Sequence, residues 1–191
     1  MFVVKVPGIN GEKSKGCEKA GNAILKSLKE IHSNESGNII DSSLLDLEEI
    51  HIDNLNIELS NKLIYENSLE IFETKPKTIF LGGDHSISYS IAKAFLNNCR
   101  NSKREACLIV FDSHPDCLQT KEKYPNNREW LRKLIEEGFP KQNILLVGVR
   151  NFSKEEIIFL KQNNIRMITM NQLLEDLQDT CDIIMEFSNR K

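Results

Sequence analysis

The sequence predicts an α/β fold built on a mainly parallel β-sheet, and two observations carry that prediction. Short apolar segments alternate with amphipathic helical segments at least four times between residues 77 and 178, the pattern of a parallel sheet with helices on its faces. The segments 106–111 (ACLIVF) and 143–149 (NILLVGV) are almost wholly apolar, as strands covered on both faces should be. The crossovers that connect such strands are expected to be right-handed.

The amino-terminal part alternates less regularly. Residues 2–6 (FVVKV) predict a first strand, which Pro7 and Gly8 end. Apolar positions recur at helical spacing in two later segments, whereas residues 39–52 fit either kind of structure. The assignments in this part are a strand at 2–6, a helix at 14–31, a loop at 33–38 and a helix at 55–73.

The remaining elements follow in regular order. The first strand of the series ends at Gly82 and Gly83, where the polar segment DHS begins. Ser153 is followed three residues later by Glu156, which is the spacing of a helix capping box. The predicted strands are 77–81, 106–111, 143–149 and 165–169, and the predicted helices are 86–96, 128–138, 153–163 and 170–178.

Length and composition predict a single domain that comprises residues 1–191. The net charge is −3, which gives no basic surface for nucleic acid or an anionic membrane, and no apolar stretch reaches the length of a membrane span. The opening segment MFVVKVPG lacks the regions of a signal peptide. The five cysteines include no C-x-x-C pair, so we expect reduced thiols in a cytoplasmic protein.

Two polar clusters follow consecutive predicted strands, at the sheet edge where ligands of such folds bind. One is GGDHS (82–86) and the other is DSHPD (112–116). If the second cluster is extended, Asp112, His114 and Asp116 face one way and Ser113 faces away; Pro115 favours that extended backbone. Sequential strands are often neighbours, so we expect His85 to join the other three as a fourth ligand of a metal ion.

Carboxylate and imidazole ligands favour Mn²⁺, with Fe and Zn²⁺ as competitors. A pair of such ions about 3.5–4 Å apart shares a bridging water and lowers its pKa towards about 7, which would make hydroxide for attack on an amidine, amide or phosphoryl centre. Asp84 has two candidate roles, a helix cap or a partner for a histidine. Cys117 is expected to pack in the interior.

Other interpretations of these residues remain open. Three polar residues in a loop are common by chance, although the joint occurrence of the two clusters favours a metal site. The D-x-H-x-D spacing also suits a phosphoesterase, but His32 and His51 lie in helix-end or loop contexts and are not expected to add ligands. Arg150, at the end of another predicted strand, either shapes the same crevice or is a solvated surface residue.

Three short segments resemble signatures of the ureohydrolase family, which comprises arginase, agmatinase and formimidoylglutamase. They are LGGDHSIS (81–88), FDSHPD (111–116) and VGVR (147–150), and the match extends from about Thr78 onward. The resemblance implies a three-layer α/β/α fold and two Mn²⁺ ions. It also implies hydrolysis of a guanidino or related linear C–N bond by a metal-bridging hydroxide. By the same resemblance, His85 and Asp116 would bind one ion, His114 would bind the other, and Asp112 would bridge both.

Two departures from the family pattern limit these expectations. The family's third signature, S-x-D-x-D-x-x-D-P, is absent from residues 1–191, and Asn127 stands where the family often has a histidine proposed as a proton shuttle. An amide cannot shuttle protons at neutral pH, so the catalytic residues stay unknown. We expect a domain truncated at its carboxyl end that lacks the last strands of the sheet.

With only Asp112 and Asp116 to balance the charge, one Mn²⁺ ion is expected for this chain rather than two. The chain alone should then be weakly active or inactive on a small guanidino-type substrate. A complementing chain or a homo-oligomer would supply what is missing. The alternative is a non-catalytic subunit that keeps the fold without the chemistry.

Overall fold

A computed structural model describes residues 1–189, in which six β-strands and seven α-helices are present. No helix in this range is both long and apolar enough to cross a membrane. The strands are β1 (Phe2–Val6), β2 (Asp46–Glu49), β3 (Thr78–Gly82), β4 (Leu108–Phe111), β5 (Ile144–Val149) and β6 (Arg166–Thr169). The helices are α1 (Ala20–Leu28), α2 (Ile57–Thr74), α3 (Ile87–Asn101), α4 (Trp130–Glu136), α5 (Lys154–Gln162), α6 (Met170–Glu175) and α7 (Leu177–Asn189).

The chain divides into two compact units, Met1–Ala94 and Phe95–Lys191. In the first unit, β1 lies between β2 and β3, and both pairings are parallel. Alternate side chains of β1 enter one apolar core, as the two-residue period of a strand requires. This core contains Phe2, Val4, Val6, Ile50, Ile64, Ile71 and Ile87.

In the second unit, β5 lies between β4 and β6, again with parallel pairing. Every residue of β5 is buried, which confirms the prediction from its unbroken apolar sequence. The ladder with β6 shifts register between Val147 and Val149, and Gly148 has a φ of 83° there. A residue with a side chain rarely adopts that backbone conformation, so glycine is required at this bulge.

Most predicted elements are confirmed, with shifts of a few residues at their ends. The predicted helix at 14–31 is wrong at its start, because Gly16 has a left-handed backbone (φ 101°) and only a short 3₁₀ turn precedes α1. The ambiguous segment 39–52 contains β2, whose residues are mostly exposed. The predicted helix at 170–178 is interrupted by Asp176, which separates α6 from α7.

Two expectations about β3 and β4 are wrong. Within residues 1–189 these strands belong to different three-stranded sheets, so the order of strands along the chain does not make them neighbours. A helical crossover can pass over one or more strand positions, which is why adjacency in sequence is only a tendency. The strand β4 is also not covered on both faces, because the side chain of Phe111 is 70% exposed.

Candidate metal centre

The cluster of the first unit lies between β3 and α3 and is held against the loop that follows β1. Gly83 passes so close to the carbonyl of Gly8 that a Cβ atom on Gly83 would overlap it, which confirms that glycine is needed for this approach. The backbone N–H of Asp84 donates to the same carbonyl at 3.0 Å. His85 is half-buried in the turn that these contacts shape.

The side chain of Asp84 ties the two loops together. One carboxylate oxygen accepts the backbone N–H of Asn10 at 2.9 Å, and the other accepts that of Ser86, also at 2.9 Å. Because Ser86 directly precedes α3, the second contact resembles the predicted capping role. The first contact links two chain segments that are far apart in sequence, and the local pattern of the sequence did not indicate it.

The cluster of the second unit follows β4 and is pinned to the end of β5. The backbone N–H of Asp112 donates to the carbonyl of Val147 at 3.2 Å. The carbonyl of Ser113 accepts two backbone N–H groups, from Arg150 at 3.0 Å and from Asn151 at 2.9 Å. The VGVR segment therefore acts through its backbone, by fixing the position of the loop that carries Asp112 and His114.

The extended arrangement predicted for residues 112–116 is wrong. The strand ends at Phe111, and one carboxylate oxygen of Asp112 accepts the backbone N–H of His114 at 3.0 Å, a local bond that bends the chain. Ser113 does not face away, since its Oγ lies 2.8 Å from His114 Nδ1. His114 itself is exposed, with Nδ1 3.7 Å from the nearer carboxylate oxygen of Asp112.

Asp116 is the most enclosed of the predicted ligands. Its backbone is left-handed, with a φ of 50°, and the residue is only 7% exposed. One of its carboxylate oxygens accepts the indole N–H of Trp130 at 2.9 Å. A carboxylate oxygen of Asp112 and one of Asp116 lie within 4.8 Å of each other. Two carboxylates at this spacing repel unless a positive charge compensates them, and a divalent cation supplies such a charge.

Cys117 packs in the interior, as predicted. Its side chain is fully buried, and its thiol donates to the carbonyl of Pro115 at 3.1 Å. Burial raises the pKa of this thiol far above its ordinary value, and the nearby carboxylates of Glu156 and Asp116 raise it further. The raised pKa keeps the thiol protonated at neutral pH, as expected of a cysteine that packs in the interior.

Asn127 lies half-buried in the segment that precedes α4. Its amide has no titratable proton to contribute to a proton transfer. The guanidinium of Arg150 donates to the carbonyl of Gly148 at 3.1 Å, so this side chain folds back on its own strand.

Two residues that the sequence did not single out for the site hold its loop in place. Trp130 bonds to the carboxylate of Asp116, and Glu156 accepts the backbone N–H of Cys117 at 3.1 Å. Glu156 was predicted only as part of a capping box, which it also completes. Both contacts join residues that are distant in sequence, so no local pattern could have revealed them.

A comparison with protein families shows which family this chain belongs to. The profile of the Arginase family matches residues 1–191. The chain belongs to the Arginase family. Among curated relatives, it is 31% identical to formimidoylglutamase of Bacillus subtilis (strain 168) over 168 residues, covering 84% of this chain and 51% of that protein. It is 29% identical to arginase of Staphylococcus aureus (strain MRSA252) over 200 residues, covering 90% of this chain and 64% of that protein.

Solved structures show the same fold. The crystal structure of formimidoylglutamase from Bacillus subtilis matches with a TM-score of 0.83 at 26% identity, over all of this chain and 61% of that one. Proclavaminate amidino hydrolase from Streptomyces clavuligerus matches with a TM-score of 0.81 at 16% identity, over 97% of this chain and 64% of that one. The arginase-like α/β fold is thus confirmed. This family member spans about half the length of the formimidoylglutamase that it matches in sequence.

Proposed function

We propose that this chain carries part of the metal centre of a hydrolase that cleaves a linear C–N bond in a small guanidino or amidino compound. The observation that carries the proposal is the pair of carboxylates, Asp112 and Asp116, within 4.8 Å of each other at the carboxyl end of a parallel strand. Membership of the Arginase family supports the same reaction class.

The donors of this chain fit a divalent cation. Asp112 and Asp116 provide two carboxylates, and His85 is proposed to add an imidazole. Oxygen-rich donors with imidazole suit Mn²⁺. His114 is proposed as a further ligand. Because its Nδ1 contacts Ser113, Nε2 is the nitrogen that we expect to bind.

A pair of bound metal ions supplies hydroxide at neutral pH by lowering the pKa of water to about 7. The residues around the proposed ligands hold and orient them. Asp112 fixes the turn through the N–H of His114, while the bonds from Ser113 to the end of β5 hold the loop at the sheet edge. Since Asp112 and Asp116 bring two negative charges, we propose that residues 1–191 bind one Mn²⁺ ion.

Asn127 favours a second candidate function. If the family histidine at this place is needed for proton transfer, a chain with an amide there binds metal without turnover. This version is a non-catalytic subunit of the Arginase family that keeps the ligands and the fold.

The proposed substrate is a small molecule, by analogy with the names of the relatives formimidoylglutamase and arginase. The family's third signature, which brings further aspartates, does not occur in residues 1–191. A complementing chain or a homo-oligomer stays a prediction, as does a cytoplasmic location.

Metal binding tests the centre directly. Titration of the metal-free chain with MnCl₂ in a calorimeter should give saturable binding with one ion per chain. Replacing Asp112 by Asn, or His114 by Ala, should weaken binding by about tenfold or more, since the first removes a ligand's negative charge and the second removes a proposed ligand. His32→Ala is the matched control for the histidine, because His32 is exposed and lies in another loop. No saturable heat from the unsubstituted chain would refute the proposed centre.

Turnover separates the two candidate functions. The manganese-loaded chain is incubated with formimidoylglutamate, arginine or agmatine, alone and after co-expression with a polypeptide that carries S-x-D-x-D-x-x-D-P. We expect weak or no hydrolysis alone and hydrolysis of one substrate in the pair. Manganese binding without turnover in either case would favour the non-catalytic subunit.

A further inference from the structure

Asp116 has an unusual backbone that its neighbours hold in place. A left-handed conformation is uncommon for residues other than glycine, although aspartate tolerates it better than most. The carbonyl of Asp116 accepts the backbone N–H of Leu131 at 3.3 Å, within the first turn of α4. On the next residue, the N–H and the thiol of Cys117 are bonded to Glu156 and Pro115. The backbone on the carboxyl side of Asp116 is thus anchored to α5 through Glu156.

The side chain of Asp116 contacts a buried ring. Trp130 is 2% exposed, and its indole N–H donates to the carboxylate at 2.9 Å. A buried carboxylate is costly unless polar partners compensate it, and a hydrogen bond to a charged oxygen is stronger than one between neutral groups. Indole has one donor and no acceptor, so Trp130 can orient the carboxylate but cannot itself bind a metal ion.

We propose that Trp130 is a positioning residue that sets the metal affinity of this centre by fixing the carboxylate of Asp116. The inference rests on the proposed function, because it requires Asp116 to be a metal ligand. A carboxylate has about four acceptor sites, so the same group can accept the indole N–H and bind a cation. Partners of this kind, which orient a metal ligand, typically change metal affinity by about 10- to 100-fold.

Because the chain has one tryptophan, the indole nitrogen of Trp130 can be replaced without altering any other residue. Growth with β-(3-benzothienyl)alanine in a tryptophan auxotroph replaces this residue alone. That analogue keeps the size and shape of the ring system but carries sulfur where indole carries N–H. Growth with 5-fluorotryptophan is the matched control, because the ring is altered while the N–H is retained.

Calorimetric titration with MnCl₂, together with the thermal unfolding midpoint of the metal-free proteins, provides the test. We expect the benzothienyl protein to bind Mn²⁺ at least tenfold more weakly than the natural and fluorinated proteins. Its unfolding midpoint should also fall, because a buried carboxylate loses one hydrogen bond. A role in packing alone would change the midpoint rather than the affinity. In a second series, Trp130→His should retain more affinity than Trp130→Phe, since a ring N–H is kept.

The outcomes distinguish this inference from the proposed function. Equal Mn²⁺ affinity in the natural and benzothienyl proteins would overturn the role of Trp130 and leave the metal centre intact. Absence of saturable binding by the natural protein would overturn both. In the natural protein, paramagnetic Mn²⁺ should also quench the fluorescence of Trp130, whereas diamagnetic Mg²⁺ should not. Binding of Mn²⁺ without quenching would contradict the proposed contact between Trp130 and a metal ligand.

Discussion

The buried thiol of Cys117 should make the free energy of unfolding depend on pH. Burial first, and then the carboxylates of Glu156 and Asp116, raise its pKa well above the ordinary value of 9.0. Because the folded-state pKa exceeds the unfolded one, the stabilisation is fully present below the unfolded pKa. It is lost as the pH rises towards the folded value, since only the unfolded thiol then releases its proton.

We therefore predict that Cys117→Ala flattens the alkaline loss of stability. In the natural protein, the thiol should lower the free energy of unfolding by up to about 1.4 kcal/mol for each pH unit above the unfolded pKa. Urea unfolding between pH 8 and 10.5 measures this, as the difference between the two proteins. Cys181→Ala, which alters an exposed thiol, is the control and should keep the slope. An unchanged slope in Cys117→Ala would contradict the prediction.

Glu156 combines two structural tasks in one buried carboxylate. One oxygen accepts the N–H of Cys117, and the other accepts the N–H of Ser153 at 2.9 Å. A glutamine has a single acceptor oxygen, so Glu156→Gln should leave one buried N–H without a partner. We expect a loss of about 1–3 kcal/mol in the free energy of unfolding. The control is Glu136→Gln on the exposed end of α4, which should cost less than about 1 kcal/mol.

At the scale of elements, the start of α5 was predicted from a local sequence pattern. The hydroxyl of Ser153 accepts the N–H of Glu156, and the carboxylate of Glu156 accepts the N–H of Ser153, as the spacing predicted. Ser153→Ala should cost about 0.5–2 kcal/mol of stability. Ser27→Ala is the matched control inside α1, where the same change should be neutral or slightly stabilising because alanine favours a helix. Thermal unfolding of both variants checks the difference in sign.

Elements whose signals are local were predictable, and those that depend on tertiary contacts were not. The sequence of β5 is apolar throughout and its burial followed directly, whereas β2 (DLEE) forms a strand only through its ladder to β1. Thr169 and Gln172 form a second capping box that the same spacing rule would have found. Membership of different sheets for β3 and β4 had no local signal, because strand pairing depends on contacts between distant parts of the chain.

In the candidate site, too, features with a local sequence signal were predictable and features that depend on tertiary contacts were not. The two clusters that carry His85 and Asp112 were visible because polar residues after apolar strands are a local pattern. The bend at His114 and the left-handed backbone of Asp116 were not, since both depend on hydrogen bonds that replace the extended conformation. The contact of Trp130 with Asp116 joins α4 to this loop, and only the folded chain reveals it.

At the scale of the whole molecule, the continuity of α3 bears on the predicted single domain. The boundary between the units, at Ala94 and Phe95, falls inside this helix, which runs from Ile87 to Asn101. A helix forms cooperatively, because each residue adds to an existing ladder of hydrogen bonds. Unfolding of one unit would remove half of a helix that also belongs to the other. This connection favours unfolding of residues 1–191 as one unit.

We therefore expect a single two-state transition in urea. The fluorescence of Trp130 reports on the second unit, whereas far-ultraviolet circular dichroism reports on the helices of both units. Coincident midpoints from the two probes are the mark of a cooperative domain. Ala94→Pro would interrupt α3 at a cost of about 3 kcal/mol or more; in a single domain it lowers both midpoints together. Two separate midpoints in the natural protein would show that the chain comprises two independent domains, because each probe would then follow its own equilibrium.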